Sequence, residues 1–273
     1  MAAGRSSREV GWPGWFDLAS ADPDTARAFY REVFGWYAYT LAVPDYGDYD
    51  IFTLGDVQGA EVAGMQALTD DTQPSSWMCY FRVEDLQATV EVVTAEGGRE
   101  LIPPADYGGI GAVAVCMDPQ GADFGVSLPS DVLEFGAMDE PSALCRVELA
   151  CRDVQEARRF YGKVFGWRAV DREDDGHPHT GLEAGDRSIG RMVQLDERWP
   201  PHCPAHWIPY FCVDDCDATA ARAHGLGARV HIPPTDSPPG RYAMITDPTG
   251  ARFAVIAPGC PGVQCTRAPQ TAE

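Results

Sequence analysis

The sequence lacks the features that most quickly assign a chain to a functional class. No apolar run approaches the roughly 18 residues that a membrane-spanning helix needs. No strand-like segment is followed by a dinucleotide-binding glycine pattern, and neither a phosphate loop nor a serine-hydrolase elbow occurs. Positive charge is scarce, because 21 Lys and Arg stand against 41 Asp and Glu, a formal net charge of −20. Such an acidic surface repels phosphate backbones and anionic lipids, so we expect no nucleic-acid partner and no membrane partner.

Cysteine usage and the first residues predict a cytoplasmic protein. The nine cysteines include no CxxC pair, so no structural zinc site is expected, and their odd number favours reduced thiols. No apolar segment follows the two arginines near the N-terminus, so the pattern does not predict a signal peptide. We expect small core residues at Cys79, Cys116, Cys151 and Cys212 and exposed thiols at Cys260 and Cys265.

An internal repeat divides the chain into two similar halves. Three segments of the first half return in the same order in the second, at offsets of 131, 130 and 129 residues. The pairs are Asp22–Trp36 with Asp153–Trp167, Trp77–Thr89 with Trp207–Thr219, and Asp118–Val126 with Asp247–Val255. The 273 residues are enough for two domains of common size. We predict domains at 11–130 and 143–258, a linker at 131–142, and flexible ends at 1–10 and 259–273.

Each half contains the order strand, helix and strand meander twice. Asp22 occupies the N-cap position of the first helix, and Gly35 follows its last turn. Asp85, Asp153 and Asp215 precede the other three predicted helices in the same way. One apolar face of the first helix follows helical spacing, at Ala26, Phe29, Tyr30, Val33 and Phe34.

These motifs resemble the vicinal-oxygen-chelate (glyoxalase, bleomycin resistance and dioxygenase) superfamily. The resemblance rests on AFYREVFGW and RFYGKVFGW after each capping Asp, and on the closing turns DPQGADF and DPTGARF. The segments WMCYFRVED and WIPYFCVDD are similar to tandem actinobacterial members labelled glyoxalase-like or hydroxylase. The resemblance implies an α+β fold with two tandem vicinal-oxygen-chelate domains and four βαβββ modules, whose curved mixed sheets form cups. It also implies a small-molecule ligand and a monomer or homodimer.

In metal-using members of this family, His, Gln or Glu side chains project into the cups from the first and last strands. Counting from the motifs places those positions at Trp15, Met78 and Gly125 in the first half, and at Arg146, Ile208 and Ala254 in the second. Gly64 and Arg191 fall near the remaining positions. None of these residues is a normal ligand for a divalent cation. We therefore predict no metal and no other cofactor, and we expect the six counted positions to line a ligand site.

Two carboxylates and two phenols are the candidate catalytic groups. Asp17 and Glu148 lie two residues beyond the counted positions, so period-two alternation points them into the same cups. Tyr80 and Tyr210 take the matching place on the paired modules, so that a carboxylate would face a phenol across each cup. A buried carboxylate can act as a general base or acid, and a tyrosine can polarise a carbonyl. Alternatively, carboxylate and phenol satisfy each other or a backbone group.

Aromatic and histidine residues complete the candidates. Trp15 would offer a stacking surface to a flat ligand, whereas Trp77 and Trp207 are out of phase with the cups and are expected in the core. His177 with His179 could chelate a metal, but a surface turn is the favoured interpretation. The cluster of His202, Cys203 and His206 could also bind a metal, but it is assigned to a linker. The loop 45–50 (DYGDYD) could line a pocket rim, but we expect a hairpin tip.

Three functional hypotheses fit these observations. The first is a metal-independent enzyme of natural-product metabolism that carries out proton transfer, such as isomerisation, cyclisation or dehydration, on a bulky, partly aromatic molecule. The second is a non-catalytic protein that sequesters an aromatic antibiotic. A metal-dependent glyoxalase or dioxygenase is the third, and the missing ligands disfavour it because both chemistries depend on a metal.

Overall fold

The structure is a computed structural model that describes residues 10–43, 46–68, 73–108, 110–130, 134–174, 177–195, 203–237 and 240–257. Within these ranges the chain forms four helices and two eight-stranded mixed sheets. The predictions for His202, Cys260 and Cys265 fall outside the described residues, as does that for the side chain of His177.

The first sheet is built entirely from the first half of the chain. Its strand order is β2-β3-β4-β1-β5-β8-β7-β6, with β1 parallel to β4 and antiparallel to β5 at the centre. The elements are β1 (Pro13–Ser20), α1 (Pro23–Phe34), β2 (Trp36–Val43), β3 (Gly47–Leu54), β4 (Glu61–Ala67), β5 (Ser76–Arg82), α2 (Leu86–Ala95), β6 (Arg99–Asp106), β7 (Ala112–Met117) and β8 (Asp123–Ser127).

The second half repeats this topology in the order β10-β11-β12-β9-β13-β16-β15-β14. Its elements are β9 (Leu144–Cys151), α3 (Val154–Phe165), β10 (Arg168–Asp174), β11 (His177–Ala184), β12 (Arg187–Gln194), β13 (His206–Cys212), α4 (Cys216–Gly225), β14 (Arg229–Ser237), β15 (Gly240–Thr246) and β16 (Arg252–Ala257). The prediction of an α+β fold with four βαβββ modules and curved mixed sheets is confirmed.

The helices begin and end where the sequence predicts. Asp22 caps α1 by accepting a hydrogen bond from the backbone N–H of Thr25 at 3.0 Å, and Gly35 ends it in the left-handed conformation with φ 72°. Asp153 caps α3 by accepting from two backbone N–H groups of its first turn. These local signals determine where the helices begin and end.

The helix-covered faces of the two sheets pack together into one aromatic core. The Tyr30 hydroxyl donates to Asp247 of the other half at 2.8 Å and accepts from Nε1 of Trp77 at 3.0 Å. The mirror-related contacts join Tyr161 to Asp118 and Trp207. The repeated Tyr, Trp and Asp of the motifs therefore bind the halves to each other, and the expectation that Trp77 and Trp207 lie in the core is confirmed. The opposite face of each sheet is left for the cups.

Candidate functional site

The alternation of side chains along the central strands separates core from cup. On β1, Phe16 and Leu18 point to the helices, whereas Trp15 and Asp17 point to the opposite face. Cross-strand partners share a face, and Trp15 pairs with Tyr80 while Asp17 pairs with Met78. Tyr80 pairs in turn with Gly125 of β8. The positions counted from the motifs thus lie on one face of the first sheet, which we call the first cup.

The same register recurs in the second half. Arg146 pairs with Tyr210, Glu148 with Ile208, and Tyr210 with Ala254. These residues and the neighbouring Met244 and Ile256 form the face that we call the second cup. The two cups occupy equivalent places in the fold but contain different chemical groups.

A buried carboxylate is the centre of the first cup. Asp17 is only 7% exposed, and its Oδ1 accepts from Nε1 of Trp15 at 2.9 Å and from the Tyr49 hydroxyl. The indole N–H of Trp15 also lies 2.7 Å from the Tyr49 hydroxyl oxygen. The hydroxyl of Tyr80 adds a further hydrogen bond to Asp17. Three donors, one each on β1, β3 and β5, therefore hold this carboxylate in a fixed orientation.

Burial and hydrogen bonding shift the pKa of Asp17 in opposite directions. Burial raises the pKa of Asp17 to about 6, although hydrogen bonds from Tyr49, Trp15 and Tyr80 favour the charged form. Burial, and then the charge of Asp17, raises the pKa of Tyr49 and of Tyr80 well above the ordinary value. The cup therefore holds one carboxyl group that can gain or lose a proton near neutral pH, beside phenols that remain hydrogen-bond donors.

The partners of Asp17 differ from the sequence prediction. We expected Tyr80 to face Asp17 across the cup, but it lies on the adjacent strand, diagonal to Asp17. The hairpin tip expected at 45–50 is confirmed at Tyr46, which lies between β2 and β3. Tyr49 instead lies inside β3 and is buried, so the prediction is wrong for that residue. The signal was available in the spacing of Tyr49 and Ile51, which share the cup face as residues i and i+2.

Two glycines explain why the first cup does not suit a metal. A Cβ atom built on Gly64 would stand closer than 3.0 Å to Asp17 Oδ1 and to the Tyr49 hydroxyl, and one on Gly125 would overlap the ring of Tyr80 in the same way. The space that a ligating side chain would need at either position is thus filled by phenols. The donors that remain are one carboxylate already bound to N–H and O–H groups, which does not fit a divalent cation.

The rim of the first cup is aromatic. Tyr46, at the tip of the β2–β3 hairpin, packs on Tyr107 from the β6–β7 hairpin with ring centroids 4.2 Å apart. Phe135, which follows the first sheet in the chain, packs on the ring of Trp15 at 5.4 Å. Trp15 is therefore fully covered, so stacking of a ligand on its ring requires these groups to move.

The second cup contains an ion pair and a second arginine, whereas the first cup contains a carboxylate among phenols. Glu148 is 3% exposed and forms an ion pair with Arg191 of β12. The guanidinium of Arg146 lies 4.3 Å from the centre of the Tyr210 ring. Burial raises the pKa of Tyr210. Neither Arg146 nor Arg191 donates a hydrogen bond of ordinary geometry to the Tyr210 hydroxyl. The partner of Glu148 is thus an arginine, not the phenol that the sequence analysis expected.

The second cup also lacks a donor set for a cation. Two guanidinium groups repel one, and Ile208 and Ala254 offer no ligand atom. Over the described part of the chain, no three His, Cys, Asp or Glu side chains come close enough to hold a metal ion. The described members of the predicted histidine cluster, Cys203 and His206, form no such group either.

Comparison with known proteins identifies the family. The model of the glyoxalase/bleomycin resistance protein/dioxygenase superfamily matches residues 12–126 and 143–255. The chain belongs to this superfamily. The resemblance inferred from the motifs is confirmed, and the two matched segments coincide with the two sheets.

Relatives of similar length are known from actinobacteria. The chain is 35% identical over 257 residues to a protein of Mycobacterium tuberculosis named putative glyoxylase CFP32, covering 93% of this chain and 97% of the relative. It is 34% identical over 263 residues to the anthracycline biosynthesis protein DauV of a Streptomyces species, covering 90% and 93% of the two chains. Both alignments therefore extend across both halves of this chain.

Solved structures share the fold. The Mn(II)-bound glyoxalase of Novosphingobium aromaticivorans superposes with a TM-score of 0.61 over 91% of this chain and 82% of that chain, at 19% identity. At this identity the likeness concerns the fold alone. No helix in the described ranges is long and apolar enough to cross a membrane.

Proposed function

We propose that this protein is an enzyme of natural-product metabolism that transfers a proton on a flat, partly aromatic small molecule bound in the first cup, without a metal. The observation that carries the proposal is the buried carboxylate of Asp17, held between Trp15, Tyr49 and Tyr80. The Streptomyces relatives, whose names refer to anthracycline biosynthesis, support the class of molecule.

The chemistry follows from the protonation states in the first cup. The Asp17 carboxylate removes a proton from a carbon next to a carbonyl, and the electron pair of the C–H bond moves towards the carbonyl oxygen. Tyr80 stays protonated, and its O–H turns from Asp17 to donate a hydrogen bond to that oxygen, which stabilises the developing negative charge. Asp17 then returns the proton to another atom of the same molecule, so the net reaction is an isomerisation or one step of a cyclisation.

The first cup is favoured over the second as the reaction site. Glu148 is held in an ion pair with Arg191, and Tyr210 lies beneath Arg146, so the second cup has no carboxylate held only by neutral donors, as Asp17 is in the first. Entry to the first cup requires opening of the rim, because Asp17 is nearly inaccessible behind Trp15, Phe135 and the pair of Tyr46 and Tyr107.

Proton transfer is tested directly by isotope exchange. We would incubate the protein in D₂O with anthrone, a flat tricyclic ketone with an acidic methylene group, and follow loss of the methylene proton signal by NMR. Asp17→Asn should slow the catalysed exchange by about 100-fold or more, within the range of general acid–base catalysis. Glu148→Gln, the matched change in the second cup, should leave the exchange rate unchanged.

Two further measurements separate this proposal from its competitors. Saturable quenching of tryptophan fluorescence by anthrone without exchange would favour a sequestering protein, for which the aromatic lining of the first cup alone suffices. Dialysis against a chelator should not alter the exchange rate. Loss of exchange that a divalent cation restores would contradict the metal-independent reaction.

A further inference from the structure

Arg146 has buried nitrogens without an acceptor and forms no ion pair with any described residue. Arg82 and Arg158 also have such nitrogens, but they form ion pairs with Glu134 and Asp171. The Nε and Nη2 atoms of Arg146 are buried and have no hydrogen-bond partner. Its guanidinium carbon lies 4.3 Å from the centroid of the Tyr210 ring. Removing N–H groups of a cation from water without giving them an acceptor is costly, so a site of this kind is completed by a ligand that brings the acceptor.

The positions of the two orphaned nitrogens identify the shape of that acceptor. Nε and Nη2 form one edge of the planar guanidinium, with two N–H bonds that run parallel. A carboxylate presents two oxygens at matching spacing and accepts both bonds at once, which makes Arg the usual residue for bidentate recognition of this group.

Local charge also favours an anion. Among the described groups of the second cup, Glu148 is paired with Arg191, so the charge of Arg146 is left uncompensated. The cup therefore has one surplus positive charge, although the whole chain has a formal net charge of −20. The first cup has Trp15 and Gly64 on the strands where the second has Arg146 and Arg191, so this charge is specific to the second half.

The rest of the second cup is apolar. Ile208, Met244, Ala254 and Ile256 are buried in one cluster with Tyr210. A ligand that satisfies Arg146 through a carboxylate would place its remaining atoms against these side chains, and flat rings suit the face of Tyr210.

We propose that the second cup is a binding site for an aromatic carboxylate, with Arg146 as the bidentate anchor. This site is separate from the proton-transfer site proposed for the first cup, and neither proposal depends on the other. The two halves of the repeat would then have diverged into one reactive cup and one anion-binding cup.

Titration calorimetry of the full chain with 2-naphthoate tests the proposal, with 2-naphthamide as the neutral ligand of the same shape. At about 0.15 M salt, where exposed charges are largely screened, naphthoate should bind one site and naphthamide more weakly. Arg146→Met should weaken naphthoate binding by about tenfold or more and leave naphthamide binding unchanged. Arg187→Met is the matched control, because it removes the same charge from a cation–π contact with Trp12 outside the second cup. Its naphthoate affinity should equal that of the wild type.

A second readout does not depend on any variant. In the wild-type protein, the ring protons of bound naphthoate should give nuclear Overhauser effects to the methyl group of Met244. Equal binding of naphthoate and naphthamide, an unchanged naphthoate affinity in folded Arg146→Met, or contacts to first-cup methyl groups such as Met78 would each overturn the proposal.

Discussion

Gly64 and Asp17 lie side by side on the parallel strands β4 and β1, so close that a Cβ atom on the glycine would overlap the carboxylate. The absence of a side chain at Gly64 is therefore what makes room for the Asp17 and Tyr49 cluster. Gly64 thus provides no metal-ligating side chain, and it leaves the space that Asp17, the proposed base, occupies.

Replacement of Gly64 by Ala should disrupt this cluster. The added methyl group must displace Asp17 or Tyr49, and we expect the free energy of unfolding to fall by about 1–3 kcal/mol. Gly162→Ala is the matched control, because its Cβ would meet its nearest atom at 3.5 Å within helix α3. That variant should be more stable than wild type by about 0.5–1 kcal/mol. Urea denaturation measures both, and equal stabilities of Gly64→Ala and wild type would refute the crowding.

The raised pKa of Asp17 predicts a pH dependence of stability. The folded protein retains a proton on Asp17 up to a pKa of about 6, whereas the unfolded chain releases it near the ordinary carboxyl pKa of 3.8. The folded state binds more protons in that window, so the free energy of unfolding contributed by Asp17 falls as pH rises from about 4 to 6 and then levels off. The full difference is roughly 3 kcal/mol. Denaturation of wild type and Asp17→Asn between pH 4 and pH 8 checks it, since the variant should lack this component. Parallel pH profiles of the two proteins would show that the pKa is unshifted.

Substitution by Met should change the stability of the protein in opposite directions at the two arginines of the second cup. Arg191→Met leaves Glu148 buried without its ion-pair partner, so we expect a loss of about 3 kcal/mol or more. Arg146→Met removes a partly buried cation without an ion-pair partner. We expect a net increase in stability of about 1 kcal/mol, with the loss of the contact to Tyr210 included. Thermal unfolding without ligand compares them. Destabilisation of equal size in both variants would show that Arg146 has a partner after all.

The hydrogen bonds that join the two halves should contribute measurably to the free energy of unfolding. Tyr30→Phe removes the donor to Asp247 and the acceptor for Trp77, and we expect a loss of about 1–3 kcal/mol. Tyr161→Phe, the mirror-related change, should cost a similar amount. Tyr46→Phe alters an exposed side chain and should stay within about 0.5 kcal/mol of wild type. A loss confined to one half would contradict the symmetry of the core.

Local sequence signals determined the repeat, the helices and the faces of the strands. An Asp before each helix and a Gly after α1 act within a few residues, so their effect can be predicted without knowing the rest of the fold. Strand alternation has a fixed period of two, which is why counting from the DPxG turns placed Gly125 and Ala254 on the cup faces. The sequence also showed that those positions hold no metal-ligating residue type.

Tertiary structure alone decided what meets inside each cup. Tyr49 reaches Asp17 because β3 and β1 flank β4, and Arg191 neutralises Glu148 because β12 lies beside β9. Such contacts join strands far apart in the chain, and their energies depend on burial and geometry that no local pattern encodes. The sequence therefore determined where the cups are, whereas the packing of distant strands decided that one holds a carboxylate among phenols and the other an arginine without an acceptor.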